Sequence, residues 1–254
     1  MREAEQGAGR GAAGSVLVVQ HEDEAPPGWF GEWLTEAGLR LDVRRPYAGD
    51  ALPRTLVGGA GLLVLGGEMG AYDDPAHPWL RATKRLLCDA VETGVPVLGI
   101  CLGHQLLAVA NGGRVEPHPT GRQRGLYPMD WTDAAVDDAL FGPLVRAGGY
   151  DEPVAVQWNV DVVAELPAGA QALARSADGV LQAMRVGQSA WGIQAHPEAG
   201  VGVVGTWSLD ASDQPLVAAL GPAEPRLRAC WRPLADGFAA RCGARAPVPA
   251  VDRT

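Results

Sequence analysis

Long uncharged apolar runs are missing from this sequence. No stretch reaches the ~18 residues that a membrane-spanning helix needs, so no helical span is expected. An excess of positive charge is missing too. Asp and Glu number 30 against 21 Lys and Arg, giving a formal net charge of −9 and a pI near 5.0. Such a chain offers no basic field to phosphate backbones, and nucleic-acid binding is not expected. Cysteine is scarce. Cys88, Cys101, Cys230 and Cys242 are widely spread and form no C-x-x-C pair, which supports neither a zinc cage nor a disulfide framework. A Walker-type phosphate loop, internal repeats and a polar linker between two halves are absent as well. The opening "MREAEQGAGRGAAG" lacks an apolar signal core and reads as a disordered tail over 1–14, with the cytoplasm as expected location.

What is present is one core's worth of apolar sequence: 254 residues, 47% hydrophobic. A single domain is expected over 15–241, followed by a Pro-rich tail over 242–254. "SVLVVQ" (15–20), "RLDVRRPY" (40–47), "GLLVLGG" (61–67) and "VPVLGI" (95–100) read as strands. Between them, "PPGWFGEWLTEAGL" (26–39), "HPWLRATKRLLCDAVETG" (77–94) and "GHQLLAVANGG" (103–113) carry helical spacing and stop at glycines. This alternation predicts an α/β fold with a mostly parallel sheet covered on both faces. Beyond residue 113 come short strands separated by turn residues, which predict a mixed or antiparallel extension of the sheet. Two helices are expected near 208–220 and 224–241. Trp29, Trp33, Trp79 and Trp191 are expected to pack helices on the sheet, and Trp158 to border a pocket.

Gly99-Ile100-Cys101-Leu102-Gly103 places a cysteine at a strand-to-helix junction with a glycine two positions to either side. That is the logic of a nucleophile elbow: a tight turn lifts the side chain over the sheet edge, and small neighbours make room. The helix beginning beyond it favours thiolate, and the N–H of Leu102 points into the same space as an oxyanion donor. Read alone, the motif is a weak signal that more readily fits an inert buried cysteine. A base raises the stakes. His21, His77 and His118 read as surface residues, and His104 sits on a helix leading away from the sulfur. "SAWGIQAHPE" instead ends a strand in His196-Pro197-Glu198, where Glu198 can orient the imidazole toward a thiol. In isolation that is also an ordinary surface turn. A third strand end, "LVLGGEMGAYDD", breaks at Gly66-Gly67. There the backbone can approach a ligand and the N–H of Gly67 can serve as a second oxyanion donor; a plain turn is the alternative.

Together, "GGEMGAYDDPAHPWL", "GVPVLGICLGHQLLA" and "WGIQAHPE" resemble the class I (triad) glutamine amidotransferases over roughly residues 15–200. They are similar in particular to stand-alone bacterial members akin to the glutaminase domain of GMP synthase. The resemblance implies a flavodoxin-like fold. It implies Cys101 as nucleophile, His196 as general base and acid, Glu198 as its orienter, and an oxyanion hole from Gly67 and Leu102. By the same analogy Gly66, Gln105, Asn159 and Val160 lie at the substrate. The implied reaction is thiolate attack on a γ-carboxamide, release of ammonia and hydrolysis of a thioester, with no metal or organic cofactor. Two departures stand out: Ala195 where relatives often carry an aromatic residue, and Trp158-Asn159-Val160-Asp161 where many carry a His-Gly-Asp-like loop. Three readings follow: a glutaminase feeding ammonia to a synthetase partner, a hydrolase of γ-glutamyl amines acting alone, or a degenerate binding module.

Overall fold

The computed structural model describes residues 14–56, 60–146, 154–208 and 210–243. The tails expected over 1–14 and 242–254 therefore lie almost wholly outside the described residues. The chain begins with β1 (Ser15–Val19), α1 (Gly28–Glu36), β2 (Arg40–Arg44) and β3 (Gly61–Val64). It continues with α2 (Trp79–Thr93), β4 (Val97–Ile100), α3 (Leu102–Ala110) and β5 (Arg114–Pro117). Next come β6 (Gln123–Pro128), β7 (Asp130–Trp131) and two short helices, α4 (Asp133–Val136) and α5 (Gly142–Arg146). Five strands follow: β8 (Val154–Asn159), β9 (Asp161–Glu165), β10 (Gln171–Arg175), β11 (Leu181–Val186) and β12 (Ala190–Ile193). The described chain closes with α6 (Val201–Thr206) and α7 (Gln214–Arg241).

Eight strands form one sheet in the order β2-β1-β3-β4-β12-β11-β10-β7. From β2 to β12 every pairing is parallel; from β12 to β7 every pairing is antiparallel. The expected extension is thus real, but only part of the later sequence joins it. β5 pairs with β9 and β6 with β8 in separate two-stranded ribbons.

Period-two alternation sorts the strand residues between two cores. Val16, Val18, Leu63, Leu98 and Ile100 face the layer of α1 and α7, built on Trp29, Phe30, Trp33, Trp231 and Phe238. Leu17, Val19, Leu62, Val64 and Val97 face the layer of α2 and α3. In α2, Leu80, Leu86 and Leu87 are buried, and Gly94 ends the helix in the left-handed conformation. Parallel strands buried on both faces read as continuous apolar runs, as "GLLVL" and "VPVLGI" do.

Two expectations need correction. The C-terminal region is one 28-residue helix, α7, that runs through Pro222, Pro225 and Pro233. Each proline removes one backbone donor, but α7 buries Leu220, Leu227, Trp231, Leu234 and Phe238, and this apolar seam carries it across the gaps. His21 and His118 are buried rather than exposed. His21 accepts a hydrogen bond from Trp79 Nε1 (3.2 Å), and His118 accepts one from the Thr120 N–H (3.2 Å). Among the described residues, no helix is long and apolar enough to cross a membrane.

Candidate active site

β3, β4 and β12 end side by side, and the predicted residues gather over those ends. Cys101 has φ +49° and is the single non-glycine residue with positive φ among the described residues. Its backbone is held there by the packing of α3 on β3 and β4. A Cβ on Gly103 would lie 2.1 Å from the Val64 carbonyl oxygen, and one on Gly99 would lie 2.5 Å from the Gly103 carbonyl oxygen. Only glycines permit this approach, so the G-x-C-x-G spacing is a steric requirement of the turn. Strain at such a position costs ~1–3 kcal/mol and is found where surroundings over-determine the conformation.

His196 follows β12 by three residues, and its N–H donates to the Val156 carbonyl (2.8 Å). The Trp29 N–H at the start of α1 donates to the Glu198 carbonyl (2.9 Å), which anchors the His-Pro-Glu turn. Gly28, at φ +48°, has no room for a Cβ there. Glu198 Oε1 lies 2.8 Å from His196 Nδ1, and both side chains are buried. This leaves Nε2 for Cys101. The two side chains meet over Gly66, where a Cβ would lie 3.1 Å from His196 Cε1 and 3.6 Å from Cys101 Cβ. Burial works against a charged imidazole, but the adjoining Cys101 sulfur and Glu198 carboxylate outweigh it and raise the His196 pKa to about 10.

The remaining predicted residues are close by. Among the described residues, no hydrogen bond of the fold occupies the N–H of Gly67 or Leu102. Gln105 Nε2 donates to the Asp161 carbonyl (2.9 Å) and to Gln194 Oε1 (3.2 Å), so Gln105 also braces the site. Cys101, Gln105, Asn159, Val160 and His196 share one cavity of about 510 Å³, with Trp158 at its wall. His104 points elsewhere, packed in the core against Gly192.

Two residues were not foreseen. Gln194 Nε2 donates to Cys101 Sγ at 3.6 Å from a fully buried position. Trp207 covers the imidazole of His196 with ring centroids 4.5 Å apart, and its Nε1 donates to the Glu24 carbonyl (2.8 Å). Gln194 has a legible signal, two residues before His196 in "GIQAHPE". Trp207 has none, because it arrives from the end of α6.

A family model, glutamine amidotransferase class-I, matches residues 33–210. The chain is 32% identical over 187 residues to the glutamine amidotransferase-like protein YfeJ of Salmonella typhimurium, covering 72% of this chain and 75% of that one. It is 40% identical over 103 residues to a GMP synthase of Pyrobaculum aerophilum, but spans only 18% of that protein. Among solved structures it is similar to a glutamine amidotransferase from Thermotoga maritima, with 25% identity, a TM-score of 0.77, and coverage of 89% of this chain and 98% of that one. A glutamine amidotransferase from Methylobacillus flagellatus gives 26% identity, a TM-score of 0.78, and coverage of 92% and 98%.

Proposed function

Because the chain belongs to the class I glutamine amidotransferases, we propose that it hydrolyses the γ-carboxamide of glutamine, or of a γ-glutamyl amide, through a Cys101 thioester. The observation that carries this reading is the buried His196–Glu198 pair at 2.8 Å beside a cysteine held at positive φ. Cys101 thiolate attacks the γ-carbonyl carbon. The carbonyl oxygen takes up the negative charge and is held by the N–H groups of Gly67 and Leu102. His196 Nε2 then protonates the nitrogen, the C–N bond breaks, and ammonia or an amine departs. Water attacks the thioester as His196 takes its proton; the C–S bond breaks, giving glutamate and free enzyme. Glu198 keeps Nδ1 engaged and stabilises the imidazolium.

Similarity to a GMP synthase and to a carbamoyl phosphate synthase small chain supports a partner that takes up ammonia. The test is glutamate release from glutamine and from γ-glutamyl amides, by wild type and by Cys101→Ala. The variant is expected to fold and to be inactive. A Cys101→Ala enzyme with near wild-type turnover, or a wild type silent on all these compounds, would overturn the reading and favour a binding module.

A further inference from the structure

The cavity above Cys101 has two unlike flanks. On the side of β12, the β6–β8 ribbon brings Trp158, Asn159 and Arg122. On the other side, the loops after β1 and β3 bring Glu22, Glu24 and Glu68. Among the described residues, none of these three carboxylates has a Lys or Arg within ion-pair distance. They also crowd one another: burial first, then Glu68 and Glu24, raise the Glu22 pKa. Glu22 Oε2 accepts the Glu68 N–H (3.2 Å), which ties the two loops together. Trp207, bonded to the Glu24 carbonyl, adds an indole to the same cavity. Glu22 feels the charge of His196, but Glu24 and Glu68 have no Lys or Arg partner among the described residues, and such carboxylates beside an aromatic face suit an organic cation.

That cation is not needed by the glutamyl end. Asn159 is only 8% exposed, and its Oδ1 has no donor. It offers an acceptor to an α-ammonium, with Arg122 available to an α-carboxylate on the same flank. Space points the same way. At about 510 Å³ the cavity falls within the range of sites that hold drug-sized ligands, larger than an amino acid of about ten non-hydrogen atoms.

Resting on the hydrolase reading above, we infer that the leaving group is a cationic aliphatic amine, so that the preferred substrate is the γ-glutamyl monoamide of a diamine. The chemistry is unchanged. The amide C–N bond breaks as His196 protonates that nitrogen, while the distal ammonium stays on Glu24 and Glu68; water then releases glutamate from Cys101.

The experiment compares kcat/KM, by glutamate release, for the γ-glutamyl monoamide of diaminobutane, γ-glutamyl-butylamide and glutamine. The cationic amide is expected to exceed its neutral counterpart by about two- to fivefold, the range of a solvent-exposed ion pair. The ratio should shrink as salt screens the exposed carboxylates. It should also shrink in Glu24→Gln and Glu68→Gln, whose exposed side chains can be changed without disturbing the core. Equal rates on the two amides, or glutamine outperforming the cationic amide, would overturn this inference while leaving the hydrolase reading intact. Silence on all three compounds would overturn both.

Discussion

A methyl group placed on Gly103 probes the elbow directly. The added Cβ would stand 2.1 Å from the Val64 carbonyl oxygen and 2.8 Å from its carbon, both backbone atoms that cannot rotate aside. To restore ordinary contact, α3 must lift off β3 by more than an ångström. The strain expected for overpacking is ~1–3 kcal/mol, which for a chain of this size lowers Tm by about 3–10 °C. The same movement shifts Cys101 relative to His196, and a misplacement of that size costs about a hundredfold in rate. The control is Gly205→Ala in α6, where the nearest atom to the added Cβ is 3.9 Å away; it should be neutral or stabilise by up to about 1 kcal/mol. Thermal melts and glutamate release on the two variants read both effects. A Gly103→Ala enzyme with unchanged Tm and unchanged rate would refute the packing that defines the elbow.

Other outcomes follow from the same geometry. His21 and His104 are buried and held to pKa values of about 3 by desolvation, so the unfolded chain binds two protons that the folded chain does not. Stability should fall as pH drops below about 6.5, the slope approaching about 2.7 kcal/mol per pH unit; urea midpoints that stay flat between pH 6.5 and 5 would contradict this. His196 has the opposite sign. Its pKa is raised to about 10, so its contribution is complete below about pH 6.5 and is lost as pH rises toward 10. Glu198→Gln should reduce that alkaline loss, leaving the share that Cys101 contributes, and an unchanged alkaline limb would count against the pairing. Burial raises the Cys230 and Cys242 thiols to about 11 and about 12. Brief alkylation near neutral pH should therefore label Cys101, and peptide mapping that finds Cys230 or Cys242 labelled first would be the contrary result. Pro225 is exposed within α7, so Pro225→Ala should restore a helical donor and raise Tm; a fall would mean that α7 packs only with its proline.

Much of this was readable in the chain, for physical reasons that differ by region. The parallel half announces itself because strands buried on both faces need unbroken apolar runs, and β3 and β4 have them. Cys101 was legible because its turn tolerates only glycine at 99 and 103. His196 and Glu198 were legible because a proline fixes the turn between them. His21 misled because a polar residue after a strand usually faces water, and its partner, Trp79, lies 58 positions away. The proline-bearing α7 misled because local propensity argues against a helix that tertiary packing sustains. Trp207 gave no local sign of its place over His196, since only the path of α6 delivers it.

The sheet order has a bearing on how this molecule is made. β4 is flanked by β3 and β12, yet β12 lies about ninety residues later in the chain. While the polypeptide is being synthesised, the strand that leads into Cys101 has one bare edge until about three-quarters of this sequence has emerged. Such an edge invites pairing with other chains, and distant pairings are slow to form. The Cys101 thiol and the His196 imidazole are therefore brought together by a late insertion into the middle of the sheet, and a nascent chain halted before residue 190 holds the one without the other.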